Sequence, residues 1–111
     1  METVKHLVFV AACMRLLLVV STIGKVRDVG GLSSAAVRAG HNVSVFFNEE
    51  SVKLLQSPSQ VESLYADLLA CRASCADLGI GKEELIANAR MSSLAELVDL
   101  LEQSDKVVFL G

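Results

Sequence analysis

The chain has 111 residues and a formal net charge of −3, with 52% hydrophobic, 21% charged and 5% aromatic residues. That is enough for one domain with a real core, and too apolar for disorder. Lysine and arginine are scattered rather than gathered in a stripe, which argues against a nucleic-acid partner. The three cysteines lack the repeated close pairs of a zinc site, so no metal or other cofactor is expected. Free thiols without a disulfide framework point to a reducing, cytoplasmic setting.

The N-terminal stretch "HLVFVAACMRLLLVV" is strongly apolar, but Arg15 interrupts it. Its run is shorter than the ~18 residues a membrane span needs, so no membrane role is expected. "VAAC", ending at Cys13, has the look of a lipoprotein cleavage site. The apolar run before it is too short for a signal segment, and Lys5 with His6 makes a poor leading region. Residues 1–14 therefore read as an extension or lead-in, and 15–111 as the folded domain.

"RLLLVVST" (15–22) is a continuous aliphatic run closed by Ser21, Thr22 and Gly24, which predicts a central buried strand. "KVRDVGGLSSAAVRAG" (25–40) places Val26, Val29, Leu32, Ala36 and Val37 at helical spacing, and Gly40 closes the helix. Gly30 and Gly31 weaken it, and as small residues they suggest a close approach to the sheet. "HNVSVFF" (41–47) predicts a second strand, completing a βαβ unit. His41, just past the helix-ending glycine, reads as a partner of the last helical carbonyls. Asn48 is placed to cap a helix over "EESVKLLQ", with Glu49 and Glu50 at its positive end and Pro58 as its stop.

Two readings fit the next segment. Periodicity alone allows one helix from 60 to about 78, opened by the capping box "SQVE" (59–62). The favoured division is a helix at 60–66, a strand at 67–71 and a helix at 73–78. "GKEELIANAR" (81–90) reads as a short segment and a loop. "SSLAELVDLLEQS" (92–104) predicts a helix capped by Ser92 or Ser93, with Leu94, Leu97, Val98 and Leu101 as its buried stripe. "KVVFLG" (106–111) predicts a last buried strand. The alternation implies a single-domain three-layer α/β fold, a small mainly parallel sheet with helices on both faces.

In this order the sequence resembles the DsrE/DsrF-like (TusD/YchN-type) sulfur-relay family. The resemblance rests on "RLLLVVST" followed by "AGHNVSVFFNEESVKLL", on "ACRASCADLGI", where Cys71 stands eight residues before Gly79, and on "SSLAELVDLLEQSDKVVFLG". It implies a compact α/β fold assembled as a trimer or hexamer. It also implies a sulfur carrier or sulfurtransferase activity that exchanges sulfur with donor and acceptor proteins, with Cys71 as the persulfide-bearing residue. Some relatives carry a second cysteine three residues after the first; here Ser74 stands there and the second thiol is Cys75.

The residues fit that chemistry in part. Sulfur transfer needs a thiolate. A cysteine between a strand and a helix lies near unpaired backbone N–H groups, and Arg72 adds a cation. Cys75, one helical turn on, is a candidate resolving thiol, although a Cys71–Cys75 disulfide needs a non-helical turn. Arg72, Ser74, Ser21 and Thr22 are candidate substrate contacts; "STIGK" lacks the glycine pattern of a phosphate loop. Two alternatives stay open: a non-catalytic oligomeric binding protein in which the cysteines are packing, and a thiol–disulfide redox protein using Cys71 and Cys75. The aliphatic surplus predicts a homo-oligomer, with residues 7–14 and the glycine-containing helix as the expected contacts.

Overall fold

The computed structural model describes residues 13–61 and 64–111. Residues 1–12, which hold most of the expected lead-in and contact stretch, and Glu62, the acidic end of the expected capping box, lie outside the described residues. Five parallel strands form one sheet in the order β4-β3-β2-β1-β5. They are β1 (Arg15–Val20), β2 (Asn42–Phe47), β3 (Asp67–Cys71), β4 (Ala89–Ser92) and β5 (Lys106–Leu110).

Strand periodicity divides the core cleanly. Leu18, Val20, Val45, Phe47, Leu68 and Ala70 turn to a first face. This face is covered by α1 (Val26–Arg38), a 3-10 helix (Glu49–Gln56), α2 (Pro58–Val61) and α3 (Arg72–Asp77). Leu17, Val19, Phe46, Leu69 and Cys71 turn to a second face, against which Leu97 and Leu100 of α4 (Leu94–Gln103) pack. Strands buried on both sides explain the unbroken aliphatic runs. The chain steps from β1 to β4 with its connections on the first face, then returns on the second through α4 to place β5 beside β1. The strand order therefore reverses between β1 and β5.

Two helix ends share one device. After α1, Gly40 (φ 87°) lets its own N–H reach the Val37 carbonyl and the His41 N–H reach that of Ala36, both at 3.0 Å. After α3, Gly79 (φ 69°) places its N–H on Ala76 at 3.2 Å and the Ile80 N–H on Cys75 at 2.8 Å. Both are Schellman closures, which require the left-handed conformation at the glycine.

Several expectations are corrected. "EESVKLLQ" winds as a 3-10 helix rather than an α-helix, and the Asn48 side chain does not cap it. Pro58 ends that segment and also opens α2, where a missing N–H costs nothing. The continuous helix from 60 to 78 is excluded by β3, and residues 64–66 lie outside helix. "ARMS" (89–92), read as loop and cap, is β4, so Ser92 is a strand residue and Ser93 alone caps α4, accepting from the Glu96 N–H at 3.1 Å. The α4 stripe divides: Leu97 packs on the sheet, whereas Leu94, Val98 and Leu101 are exposed. β5 is an edge strand rather than a buried one, and Phe109 is exposed. Gly30 and Gly31 mark no close approach, because a Cβ on either would meet nothing within 4 Å.

Candidate functional site

Cys71 is the last residue of β3 and the N-cap position of α3, with extended backbone (φ −63°, ψ 118°). Its side chain closes the second-face cluster and is 3% exposed. Cys75 lies within α3 and is fully buried in the first-face cluster. The two sulfurs are thus packed against opposite faces of the sheet, and both thiols are free. Burial first, and the neighbouring Cys71 second, push the Cys75 thiol up and keep it protonated. Arg72 is exposed beside them.

The strand-end loops are stitched together at this edge. The Ser21 hydroxyl donates to Asn48 Oδ1 at 2.7 Å, which is why Asn48 is not free to cap. The next residue, Glu49, has positive φ (52°), and its N–H donates to Ser74 Oγ at 2.8 Å. The buried Ser51 hydroxyl donates to the Val20 carbonyl at 2.6 Å. A hydrogen-bonded path therefore runs from the end of β1, through the loop after β2, to the cysteine turn. Ser21 and Ser74 lie on this path. Thr22 follows Ser21 at the crevice between β1 and β5, where the strand order reverses, and the Ser21 N–H bonds the Leu110 carbonyl at 3.1 Å. Cys71 sits two strands from that crevice.

A second group of polar side chains stands on the other side of Cys71. In the β3–β4 register, Cys71 pairs with Ser92 and Leu69 with Arg90, so Ser92 and Arg90 share the second face with Cys71. Ser92 is 1% exposed, and its hydroxyl donates to Glu96 Oε1 at 2.6 Å. Arg90 grips the same carboxylate through two nitrogens, at 3.1 and 2.7 Å, and reaches Asp67 at 3.3 Å. The Arg90 guanidinium, then the Ser92 hydroxyl, hold the Glu96 carboxyl below its usual range. Glu96 in turn raises the hold of Arg90 on its proton. These residues were not legible as a site, because their meeting depends on β4. The one sequence signal was the Ser93-x-x-Glu96 spacing of a capping box.

The remaining candidates fall elsewhere. His41 Nδ1 accepts from the Met14 N–H at 3.0 Å; the partner of the helix carbonyl is its backbone N–H, not its ring. Cys13 is exposed and donates to the Gly40 carbonyl at 3.1 Å. A polar cleft of about 170 Å³ opens at the opposite edge of the sheet, between the starts of β1 and β2 and the end of α4. It does not reach Cys71. Among the described residues, no helix is long and apolar enough to cross a membrane, and no group of three or more His, Cys, Asp or Glu could hold a metal ion.

The sequence pattern of the DsrE/DsrF-like family matches residues 12–110. Among solved structures, the fold is similar to the crystal structure of the YchN protein from E. coli. The TM-score is 0.68 at 14% identity, over 88% of this chain and 99% of that one. No curated protein matches the chain.

Proposed function

The chain belongs to the DsrE/DsrF-like family, and from that premise we propose that it is a small cytoplasmic sulfur carrier that holds sulfur as a persulfide on Cys71. The observation that carries this reading is the position of Cys71. It ends a parallel strand at a strand-to-helix turn, the edge at which open α/β sheets hold ligands.

In the transfer, the Cys71 thiolate attacks the outer sulfur of a donor persulfide. A new S–S bond forms on Cys71, the donor S–S bond breaks, and the donor leaves as a thiolate that takes up a proton. Nothing is oxidised or reduced overall. Release to an acceptor thiolate is the same exchange in reverse. Burial and the neighbouring Cys71 keep the Cys75 thiol protonated, which makes it a poor nucleophile. Its place on the opposite face gives no support to a Cys71–Cys75 redox pair.

Incubation with a small-molecule persulfide, followed by intact-mass measurement, tests the reading. Wild type and Cys75→Ser are expected to gain one sulfur atom, and Cys71→Ser none. An adduct on Cys71→Ser equal to that on wild type would overturn it.

A second reading has an observation of its own. At 3% exposure, Cys71 has the burial of a packing cysteine, as expected of a non-catalytic binding protein. Alkylation of Cys71 no faster than global unfolding, together with no sulfur loading, would favour it.

The carrier reading includes self-association as a trimer or hexamer. Supporting it, Leu94, Val98 and Leu101 of α4 are exposed together with Phe109, which lies beside Val19 on the same second face. This apolar surface differs from the N-terminal and glycine-helix contacts expected from composition. Light scattering on the full chain decides, and a monomer of 11.9 kDa would count against it.

A further inference from the structure

Resting on the self-association in the carrier reading, we infer that β5 is a subunit contact: its outer edge pairs antiparallel with β5 of a second copy about a two-fold axis at Val108, joining the two sheets into one.

The two edges of the sheet are built differently. β4, at one edge, has four residues, and its second-face side chains are the polar Arg90 and Ser92, both tied to Glu96. Short, charged edges resist pairing with another chain. β5, at the other edge, reads "KVVFL", with no proline and with Lys106 at its start as its one charge. Its Phe109 is 68% exposed, on the second face beside Val19. An apolar strand edge of this kind is a template for another strand. The helix above it is also turned that way. Glu96 is bonded toward β4, and at about 3.6 residues per turn Leu94, Val98 and Leu101 lie on the opposite flank of α4, the one facing the β5 side.

Backbone direction selects the occupant. The Leu110 carbonyl faces β1, where it accepts from the Ser21 N–H at 3.1 Å. The backbone groups of successive strand residues face alternate sides, so those of Val107 and Phe109 face outward. In an antiparallel ladder, a hydrogen-bonded pair of residues exchanges both of its bonds. With the axis at Val108, Val107 of each copy stands opposite Phe109 of the other, and every outward N–H and C=O of these two residues is used. The axis is perpendicular to the sheet, so both second faces stay on one side. The Val107 and Phe109 side chains then form cross-strand pairs of an aromatic and a β-branched residue, a favourable combination, between the apolar flanks of the two α4 helices. Lys106 stands opposite Leu110 of the other copy, so no like charges meet. The strand complements itself, and a second copy of the chain is the partner that fits. A closed trimer contains no two-fold axis, so the contact admits the hexamer and not the trimer.

The test is oxidative cross-linking of the full-length chain carrying Cys13→Ser, with Cys71 and Cys75 left buried in place and rates taken over that parent. Across the axis, Val108 meets its own copy as a non-hydrogen-bonded pair, with Cα atoms about 4.5 Å apart and within disulfide range. Phe109 meets its own copy only diagonally, at about 8 Å, beyond that range. Val108→Cys is therefore expected to give a disulfide-linked dimer at least about tenfold faster than Phe109→Cys. Chance collision would favour Phe109→Cys, the more exposed position, and an equal or reversed order overturns the inference. Because Val108 is partly buried, a second variant uses the exposed Phe109. Phe109→Lys puts a charge on the edge and is expected to raise the dissociation constant, read by light scattering, at least about tenfold. An unchanged constant overturns the inference. A wild-type trimer would leave self-association standing and remove the two-fold contact. A dimer would keep the two-fold contact and end the trimer-or-hexamer reading, and a monomer would end both. Cross-linking at Val108→Cys without sulfur loading on Cys71 ends the carrier reading alone.

Discussion

Replacing Gly30 and Gly31 together by alanine is expected to stabilise the protein. Both lie inside α1, away from its ends, and neither has positive φ. A Cβ at either position meets nothing within 4 Å, so no packing is lost. What remains is the backbone term, about 0.5–1 kcal/mol per glycine in a helix interior, or roughly 1–2 kcal/mol for the pair. For a domain of this size, 1 kcal/mol corresponds to about 4–8 °C in melting temperature. Urea unfolding is the assay, with the midpoint expected to rise at constant m. Destabilisation at constant m would refute the reasoning, because it would mean that α1 lies against something at these residues. The same sample bears on assembly. If the double variant is stabilised and its scattering mass is unchanged, the α1 glycines are not a subunit contact; a smaller species would show that they are.

The opposite sign is expected for Gly79→Ala, where φ is 69° and the closure of α3 depends on it; a loss of about 1 kcal/mol is expected in the same assay. Ser93→Ala removes the cap bond to the Glu96 N–H and is expected to cost about 1 kcal/mol, read by urea unfolding. The Cys75 thiol is raised by burial and by Cys71. A group raised in the folded state leaves stability intact below its unfolded value, and stability is lost as pH rises from there through the folded value. Stability is therefore expected to fall above about pH 8.5–9, and Cys75→Ala to flatten that fall; an unchanged pH slope would contradict the assignment.

β1 was readable because a parallel strand covered on both faces is a plain aliphatic run, as in "RLLLVV", and β2 because "NVSVFF" alternates and is rich in β-forming residues. β3 was readable for a different reason: small residues and a glycine after "DLLAC" broke the helical pattern that its neighbours share. β4 escaped because it is a four-residue edge strand whose second-face residues, Arg90 and Ser92, are polar. With β4 went the Arg90–Glu96–Ser92 group, which exists only through the β3–β4 register. The α4 stripe shows a separate limit. Periodicity identifies residues that share a side of a helix, yet the sheet covers Leu97 and Leu100 and leaves Leu94, Val98 and Leu101 on the flank. The 3-10 segment departs from the expected helix at its first residue, where the Asn48 side chain is engaged by Ser21 and Glu49 takes positive φ.

The central claim, that Cys71 carries the sulfur, is tested most directly by locating the adduct on the wild-type chain. Arg72 lies between Cys71 and Cys75, and Arg15 and Lys53 separate Cys13 from both, so trypsin places the three cysteines on three different peptides. After loading from a persulfide donor and blocking with an alkylating reagent, the extra sulfur atom is expected on the peptide that ends at Arg72. Its appearance on the peptide of Cys75 or of Cys13, with the Cys71 peptide unchanged, would contradict the account.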